Sequence, residues 1–278
     1  MCRWAAYSGK EIYLEDVVSS PRQSLIRQSQ RALEAKTETN GDGFGIAWYH
    51  DREEPGLYRD ILPAWNDTNL ISLARQVRSR LFLAHVRAST GTETNRSNCH
   101  PFAVGPWTFM HNGQIGHYHK LRRKLDALIQ DDLYSYRTGT TDSEALFLLA
   151  LGYGLQDDPV AAIQKTVFAV ANLAEEAGVP FAFRFTAALS DGKTIYGIRH
   201  ASDDFAPTLY HRSMPDASGR ILASEPLETD DVCWTAVPAN SFVTMVGNDI
   251  QVDPFCVDER SCAAALRTPD ELVSAGQI

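Results

Sequence analysis

Hydrophobic and polar residues follow two rhythms along this chain. Up to about Gly178 short apolar runs alternate with stretches of helical spacing; beyond it apolar residues recur at every second position. Arg3 to Tyr7 is an apolar segment that predicts a first strand. Ser20-Pro21 supplies an N-cap followed by a first-turn proline. It predicts a helix toward Lys36 on a thin stripe of Leu25, Ile26 and Leu33. Asn40-Gly41-Asp42-Gly43 has turn chemistry and leads into a buried strand from Phe44 to Tyr49. Leu70, Leu73, Ala74 and Val77 lie at helical spacing and predict a helix over Asn69 to Arg80, which feeds a strand from Leu81 to Arg87. Trp107 to His111 reads as another strand. Ile115 to Gln130 reads as a basic amphipathic helix with Leu121, Leu125 and Leu128 on one face, its charges a solvated surface. Thr141 and Glu144 form a capping box ahead of the apolar run Ala145 to Leu151. Asp158-Pro159 opens a further helix that stops near Gly178.

The period-two region predicts strands at Phe181 to Ala188 and Thr194 to His200, joined by Asp191-Gly192. Others follow at Leu209 to Arg212, Arg220 to Ala223, Phe242 to Val246 and Ile250 to Val252, the last two joined by Gly247-Asn248. Residues after Asp258 read as helical or loose. Strands at both ends of the sequence with helices between them favour an α+β fold. Antiparallel sheets covered by helices fit better than the strand–helix alternation of a parallel doubly wound sheet.

Composition narrows the partners. The chain has 278 residues, 44% of them hydrophobic, which is enough to bury a full core. A formal net charge of -9 repels phosphate backbones, so nucleic acid is not an expected partner. The longest apolar stretches are far too short to span a bilayer, and no basic-then-apolar leader is visible, so no membrane partner is expected either. The five cysteines, Cys2, Cys99, Cys233, Cys256 and Cys262, form no CxxC pair and fit reduced thiols in a cytoplasmic protein.

Four short segments hold candidate chemistry. Cys2 becomes the N-terminal residue once Met1 is removed, which places a thiol and a free α-amine on one residue; the amine can serve as base for its own thiol. A second-position cysteine without a role is the plainer alternative. Arg87 ends an apolar strand, where its guanidinium either clamps a carboxylate bidentately or makes a surface ion pair. Asn112-Gly113 after a strand fits an oxyanion hole or a hairpin turn. Asp142 in the first turn of a helix can hold a substrate ammonium or simply complement the helix dipole. Gly41-Asp42-Gly43-Phe44-Gly45 lacks the Lys-Ser/Thr of a phosphate loop. His85, His100, His111, His117 and His119 cluster in sequence but lack the spacing of a metal site, so neither metal nor cofactor is expected.

The order of Met1-Cys2-Arg3, Asn40-Gly41-Asp42-Gly43-Phe44-Gly45, Trp48-Tyr49, Ala84-His85-Val86-Arg87, His111-Asn112-Gly113-Gln114 and Thr141-Asp142-Ser143-Glu144 resembles the class II glutamine amidotransferases, N-terminal-nucleophile hydrolases. The resemblance is specific from Cys2 to about Leu151 and looser to about Val246, through Ala223-Ser224-Glu225-Pro226-Leu227. It implies a four-layer α/β/β/α sandwich of two mainly antiparallel sheets, a domain over residues 2–255 and a tail over 256–278. It also implies Cys2 as nucleophile, Asn112 and Gly113 as oxyanion hole, Arg87 and Asp142 as binders of the α-carboxylate and α-ammonium of a small γ-glutamyl substrate, and Thr90 in the same pocket. Amidotransferases with a fused synthase domain usually show Trp-Ala-Thr-His-Gly after the arginine; here Ala88-Ser89-Thr90-Gly91 follows. Three activities fit: a self-contained γ-glutamyl hydrolase, a glutaminase subunit that delivers ammonia to a partner subunit, or an inactive binding protein on the same fold. The resemblance leaves open a homo-oligomer.

Overall fold

The computed structural model describes residues 2–34, 39–89, 91, 93–228 and 233–257. The chain begins with strand β1 (Arg3–Tyr13), short helices α1 (Glu15–Val18) and α2 (Leu25–Gln30), strands β2 (Phe44–Tyr49) and β3 (Gly56–Asp60), and helix α3 (Thr68–Gln76). Strands β4 (Arg78–Val86), β5 (Phe102–Val104) and β6 (Trp107–Ile115) follow. Next come helices α4 (Tyr118–Asp126), α5 (Asp131–Tyr134), α6 (Asp142–Gly152) and α7 (Pro159–Glu176). Strands β7 (Phe183–Ser190), β8 (Ile195–Ala201), β9 (Tyr210–Ser213), β10 (Gly219–Ala223), β11 (Thr235–Ala236), β12 (Ser241–Val246) and β13 (Asp249–Pro254) complete the described chain.

The strands form a seven-stranded sheet in the order β11-β9-β10-β1-β4-β2-β3 and a six-stranded sheet in the order β13-β12-β8-β7-β6-β5. Their pairings are antiparallel, as in β1–β4, β2–β4, β6–β7 and β7–β8. Two-residue alternation sorts the side chains into layers. In β1, Trp4 and Ala6 enter the core between the sheets, while Ala5 and Tyr7 face the other way. In β4, Leu81 and Leu83 face the second sheet, while Phe82, Ala84 and Val86 pack on the outer side with Val17 and Val18 of α1, Leu25 of α2, and Leu70 and Ala74 of α3. Helices α4, α6 and α7 cover the outer face of the six-stranded sheet through Leu121, Leu125, Phe147, Val167 and Val170. The result is the four-layer α/β/β/α sandwich that the sequence implies. Helix α6 is buried along nearly its whole length, and so its sequence is apolar on every side rather than striped. No helix among the described residues is long and apolar enough to cross a membrane.

Several boundaries differ from the sequence expectation. The helix expected from Pro21 toward Lys36 is only α2: Ser24, not Ser20, caps it by accepting from the Arg27 amide, and Leu33 is exposed. Lys36 lies outside the described residues. Helix α3 stops at Gln76 because Arg78 and Ser79 already pair with the end of β1, opposite Tyr13 and Ile12. Strand β6 does not end at His111 but runs to Ile115 against β7, so α4 opens only at Tyr118 and Leu128 is left exposed. The short strands β3, β5 and β11 have no sequence signal strong enough to predict them.

Candidate active site

The first and last parts of the sequence meet at the start of β1. The Trp4 amide donates to Ser224 Oγ at 2.9 Å and the Ser224 amide donates to the Trp4 carbonyl at 3.0 Å. Beside them Arg3 Nε donates to Glu225 Oε2 at 2.7 Å, both side chains fully buried, and Arg3 Nη1 donates to the Cys2 carbonyl at 3.1 Å. Glu225 also accepts from the amides of Leu33 and Glu34. The Glu225 lone pairs are thus satisfied while Arg3 Nη2 is buried without a partner among the described residues, and such a buried ion pair fixes geometry more than it adds stability. Here it fixes where Cys2 stands.

Cys2 precedes Trp4 by two residues and therefore points toward the same inter-sheet layer. By the same alternation Asn112 continues the inward row that Met110 begins in β6. The two rows meet, since Trp4 Nε1 donates to the carbonyl of Thr186, the β7 residue opposite Asn112. At this end of the sandwich a cleft of about 330 Å³ is lined by Cys2, Arg87, Gly113 and Asp142, with His100 and His111 beside them. The structure thus brings together four of the six expected site residues on one cavity wall. Asn112 lies just behind it, buried, with both atoms of its side-chain amide unpartnered. Thr90 lies outside the described residues.

Asn112-Gly113 sits inside β6, not after a strand, and is not a hairpin turn: Asn112 lies opposite Thr186 and Gly113 opposite Phe185. The turn reading fails because the pairing partner, β7, is about seventy residues away in sequence. The amide of His111 donates to His100 Nδ1 at 3.5 Å and that of Ile115 to Asp142 Oδ2 at 2.8 Å, so both point to the edge away from β7. Alternation puts the Gly113 N–H between them on the same edge, facing the cleft. A side chain at Gly113 would collide with the Arg184 carbonyl.

Asp142 opens α6 after the N-cap Thr141, whose hydroxyl accepts from the Glu144 amide at 3.2 Å. The reciprocal half of the expected capping box is absent. Glu144 instead accepts from Arg137 and from the Thr138 and Gly139 amides. Both oxygens of Asp142 take backbone donors, Ile115 on Oδ2 and Ser143 on Oδ1 at 2.8 Å, and the helix N-terminus supports its negative charge.

Arg87 follows the last residue of β4 and is almost wholly buried. Its Nη1 donates to the Asp42 carbonyl and its Nη2 to Ser89 Oγ and the Glu93 carbonyl, at 3.2, 3.3 and 3.2 Å. Asp42 Oδ2 accepts from the Ser89 amide at 2.7 Å, and Gly43 and Asp42 exchange backbone bonds with Arg87. The glycine-rich segment that reads as a plain turn is therefore the cradle of Arg87. Gly43 has φ 114°, and a Cβ there would meet Cys99 Sγ at 2.6 Å.

Burial pushes the Cys2 thiol up, against the opposing pull of nearby Arg87. The resting group is a thiol, so a base must take its proton. Three histidines lie under the cleft. His85 Nε2 and His100 Nδ1 are 2.9 Å apart, His111 Nδ1 is 2.9 Å from Ser143 Oγ, and His111 Nε2 is 3.1 Å from the Arg184 carbonyl. The carbonyl requires a proton on His111 Nε2, so Nδ1 accepts from the Ser143 hydroxyl. Burial holds His85 down to about 3, holds His100 well below its ordinary value with His85 adding to the effect, and lowers His111 despite the nearby Asp142.

These shifts predict acid lability. As pH falls through about 6.5 the unfolded chain takes up a proton at each of the three histidines while the folded chain does not. Stability is full above that pH and declines below it, with a limiting slope of about 1.4 kcal/mol per pH unit for each histidine. Urea midpoints followed by circular dichroism should drop between pH 7.5 and pH 5; equal midpoints would show that these histidines are charged in the folded protein. His117 and His119 border the same cleft with ring centroids 6.5 Å apart, and among the described residues no three acidic, histidine or cysteine side chains converge as metal ligands.

The family profile of the class-II glutamine amidotransferases matches residues 19–264. A protein of Saccharomyces cerevisiae described as a "Probable glutamine amidotransferase" is 33% identical over 93% of this chain and 85% of its own length. A γ-glutamyl-hercynylcysteine sulfoxide hydrolase of Mycolicibacterium smegmatis is 30% identical over 92% of this chain and all of its own. Among solved structures, a glutamine aminotransferase class-II domain protein from Silicibacter pomeroyi superposes with a TM-score of 0.74 at 39% identity, covering 92% of this chain and all of that one. The glutamine phosphoribosylpyrophosphate amidotransferase of B. subtilis superposes with a TM-score of 0.61 at 14% identity, over 93% of this chain and half of that one, a likeness of fold alone.

Proposed function

We propose, because the chain belongs to the class-II glutamine amidotransferases, that it hydrolyses the γ-glutamyl amide bond of glutamine or a γ-glutamyl compound, with Cys2 as N-terminal nucleophile after removal of Met1. The observation that carries this reading is the cleft itself. It is lined by Cys2, a cation, Arg87, an acid, Asp142, and Gly113, and the unpartnered side-chain amide of Asn112 stands next to Gly113 in β6, which supports the reading. A glutamyl head group is a zwitterion with both charges on one carbon, and Arg87 and Asp142 match its two ends. The relative that matches over its full length is named as a hydrolase of a γ-glutamyl compound, which supports a self-contained hydrolase. The unit assigned this activity is a single domain over 2–255, with 256–278 as a tail.

The α-amine of Cys2 takes the thiol proton, and the thiolate attacks the γ-carbonyl carbon. The oxyanion that forms accepts from the Asn112 amide and the Gly113 N–H. The protonated α-amine gives its proton to the departing nitrogen as the C–N bond breaks, leaving a γ-glutamyl thioester. Water, losing a proton to the same amine, attacks the thioester carbonyl and releases glutamate and the free thiol.

The direct test is glutamate release from a panel of γ-glutamyl compounds, glutamine included, by protein whose N-terminal residue is confirmed as Cys2 by mass spectrometry. No release from any of them overturns the reading. The site roles divide by kinetics. Arg87→Ala and Asp142→Ala should each lower kcat/KM by about one to two orders of magnitude, the loss of a charge-assisted hydrogen bond. Arg87→Lys should recover only part of it, because an ammonium cannot reproduce the bidentate fork. Asn112→Ala should instead lower kcat by about a hundred- to a thousandfold with little change in KM, since the oxyanion exists only on the way through the reaction. Unchanged kcat/KM in both charge variants would mean that the amide cleaved belongs to some other acyl group.

A further inference from the structure

The two charges assigned to head-group recognition belong to opposite halves of the sandwich. Arg87 follows β4 of the seven-stranded sheet, and Asp142 opens α6, which covers the six-stranded sheet. A ligand whose carboxylate and ammonium share one carbon requires these two groups at a fixed separation. We propose that Asn98 is the positioning residue that sets that separation, a side-chain strap between the two halves; this rests on the reading of the site as a γ-glutamyl pocket.

Asn98 is fully buried and lines the cleft. Its amide uses both ends. Nδ2 donates to the Glu93 carbonyl at 2.9 Å and to Thr140 Oγ1 at 3.1 Å, and Oδ1 accepts from the Thr140 amide at 2.8 Å. The Glu93 carbonyl is the one that also accepts from Arg87 Nη2. Thr140 stands two residues before Asp142. The path from guanidinium to carboxylate thus runs Arg87, Glu93, Asn98, Thr140, Asp142, and Asn98 is its one side-chain link between segments distant in sequence. On the far side Glu144 holds Arg137 and the Thr138 and Gly139 amides, pressing this turn onto Asn98. The approach is close enough that a Cβ on Gly139 would lie 2.5 Å from Asn98 Oδ1. Among the described residues the side chain of Asn98 bonds to Glu93 and Thr140 and not to Cys2 or Asn112, so its action falls on head-group binding rather than on bond breaking.

The test compares wild type with Asn98→Ala, Asn98→Asp and Gly139→Ala, all as Met1-free full chains. Turnover of one γ-glutamyl substrate is measured together with the rate at which iodoacetamide, a reagent without a zwitterionic head, alkylates Cys2. Asn98→Ala should raise KM about ten- to hundredfold, the usual effect of a misplaced positioning group, with kcat and the alkylation rate within about threefold of wild type. Asn98→Asp keeps the acceptor for Thr140 but lacks the donor for Glu93, and it should fall between the two. Gly139→Ala keeps the Asn98 side chain but drives a methyl group against its Oδ1, separating it from the turn, and it should raise KM in the same way; it and Asn98→Asp decide the matter if Asn98→Ala does not fold. An unchanged KM in the folded variants, or an equal fall in kcat and alkylation, overturns the proposal while wild-type glutamate release leaves the γ-glutamyl reading standing. No glutamate release by wild type overturns both.

Discussion

Replacing Cys2 by alanine is expected to remove glutamate release, a fall of more than about a thousandfold, while serine at Cys99, Cys233, Cys256 or Cys262 leaves turnover largely intact. Cys2 alone among the described cysteines combines a place on the cleft wall with half-burial; Cys233 is exposed and Cys256 lies at the end of the described chain. Cys262 lies outside the described residues. Cys99 is the demanding control. It is fully buried, and its thiol bonds to the Asp60 and Asn95 carbonyls at 3.4 and 3.5 Å. Serine satisfies the same acceptors, so the change should leave the Arg87 cradle in place. A glutamine analogue carrying an electrophile, such as 6-diazo-5-oxonorleucine, should add to residue 2, read by peptide mass spectrometry. Turnover retained in Cys2→Ala, or label found on another cysteine, would sink the mechanism.

Extra residues placed ahead of Cys2, so that methionine removal no longer frees it, should leave a folded protein with activity reduced by about a hundredfold or more, the usual contribution of a general base. Burial raises the Cys2 thiol, so little thiolate exists without a base. The neighbouring imidazoles are poor substitutes: His85 and His100 are held neutral and bonded to one another, and His111 is committed to Ser143 and the Arg184 carbonyl. Circular dichroism and the urea midpoint should match those of the unextended protein, because the Arg3–Glu225 pair that anchors this end does not involve the α-amine. Full activity in the extended protein would transfer the role of base to another group, with His100 and His111 the first to test since both border the cleft.

Some of this was legible in the sequence because its physics is local. The apolar runs of β1, β2 and β4, the buried run of α6 and the Asp158-Pro159 start of α7 are each written within a dozen residues, and each forms as the expected element, although β1 runs on to Tyr13 and β4 begins already at Arg78. The order of the motif segments carried the family, and with it the layers. What the sequence could not show depends on partners far along the chain. Asn112-Gly113 is strand rather than turn because β7 pairs with it. Asp42 is a support for Arg87 rather than a hairpin residue because β4 ends beside it. Asn98 carries no motif signal, and Glu225 and Ser143 stand in motif segments that assign them no role, since a buried side chain that works by bonding a residue far along the chain looks, in sequence, like any other polar residue. Local pattern decided which segments become strands and helices. Only tertiary packing decided where their unpaired amides and charges point, because a hydrogen bond is directional and its partner is chosen in space, not along the chain.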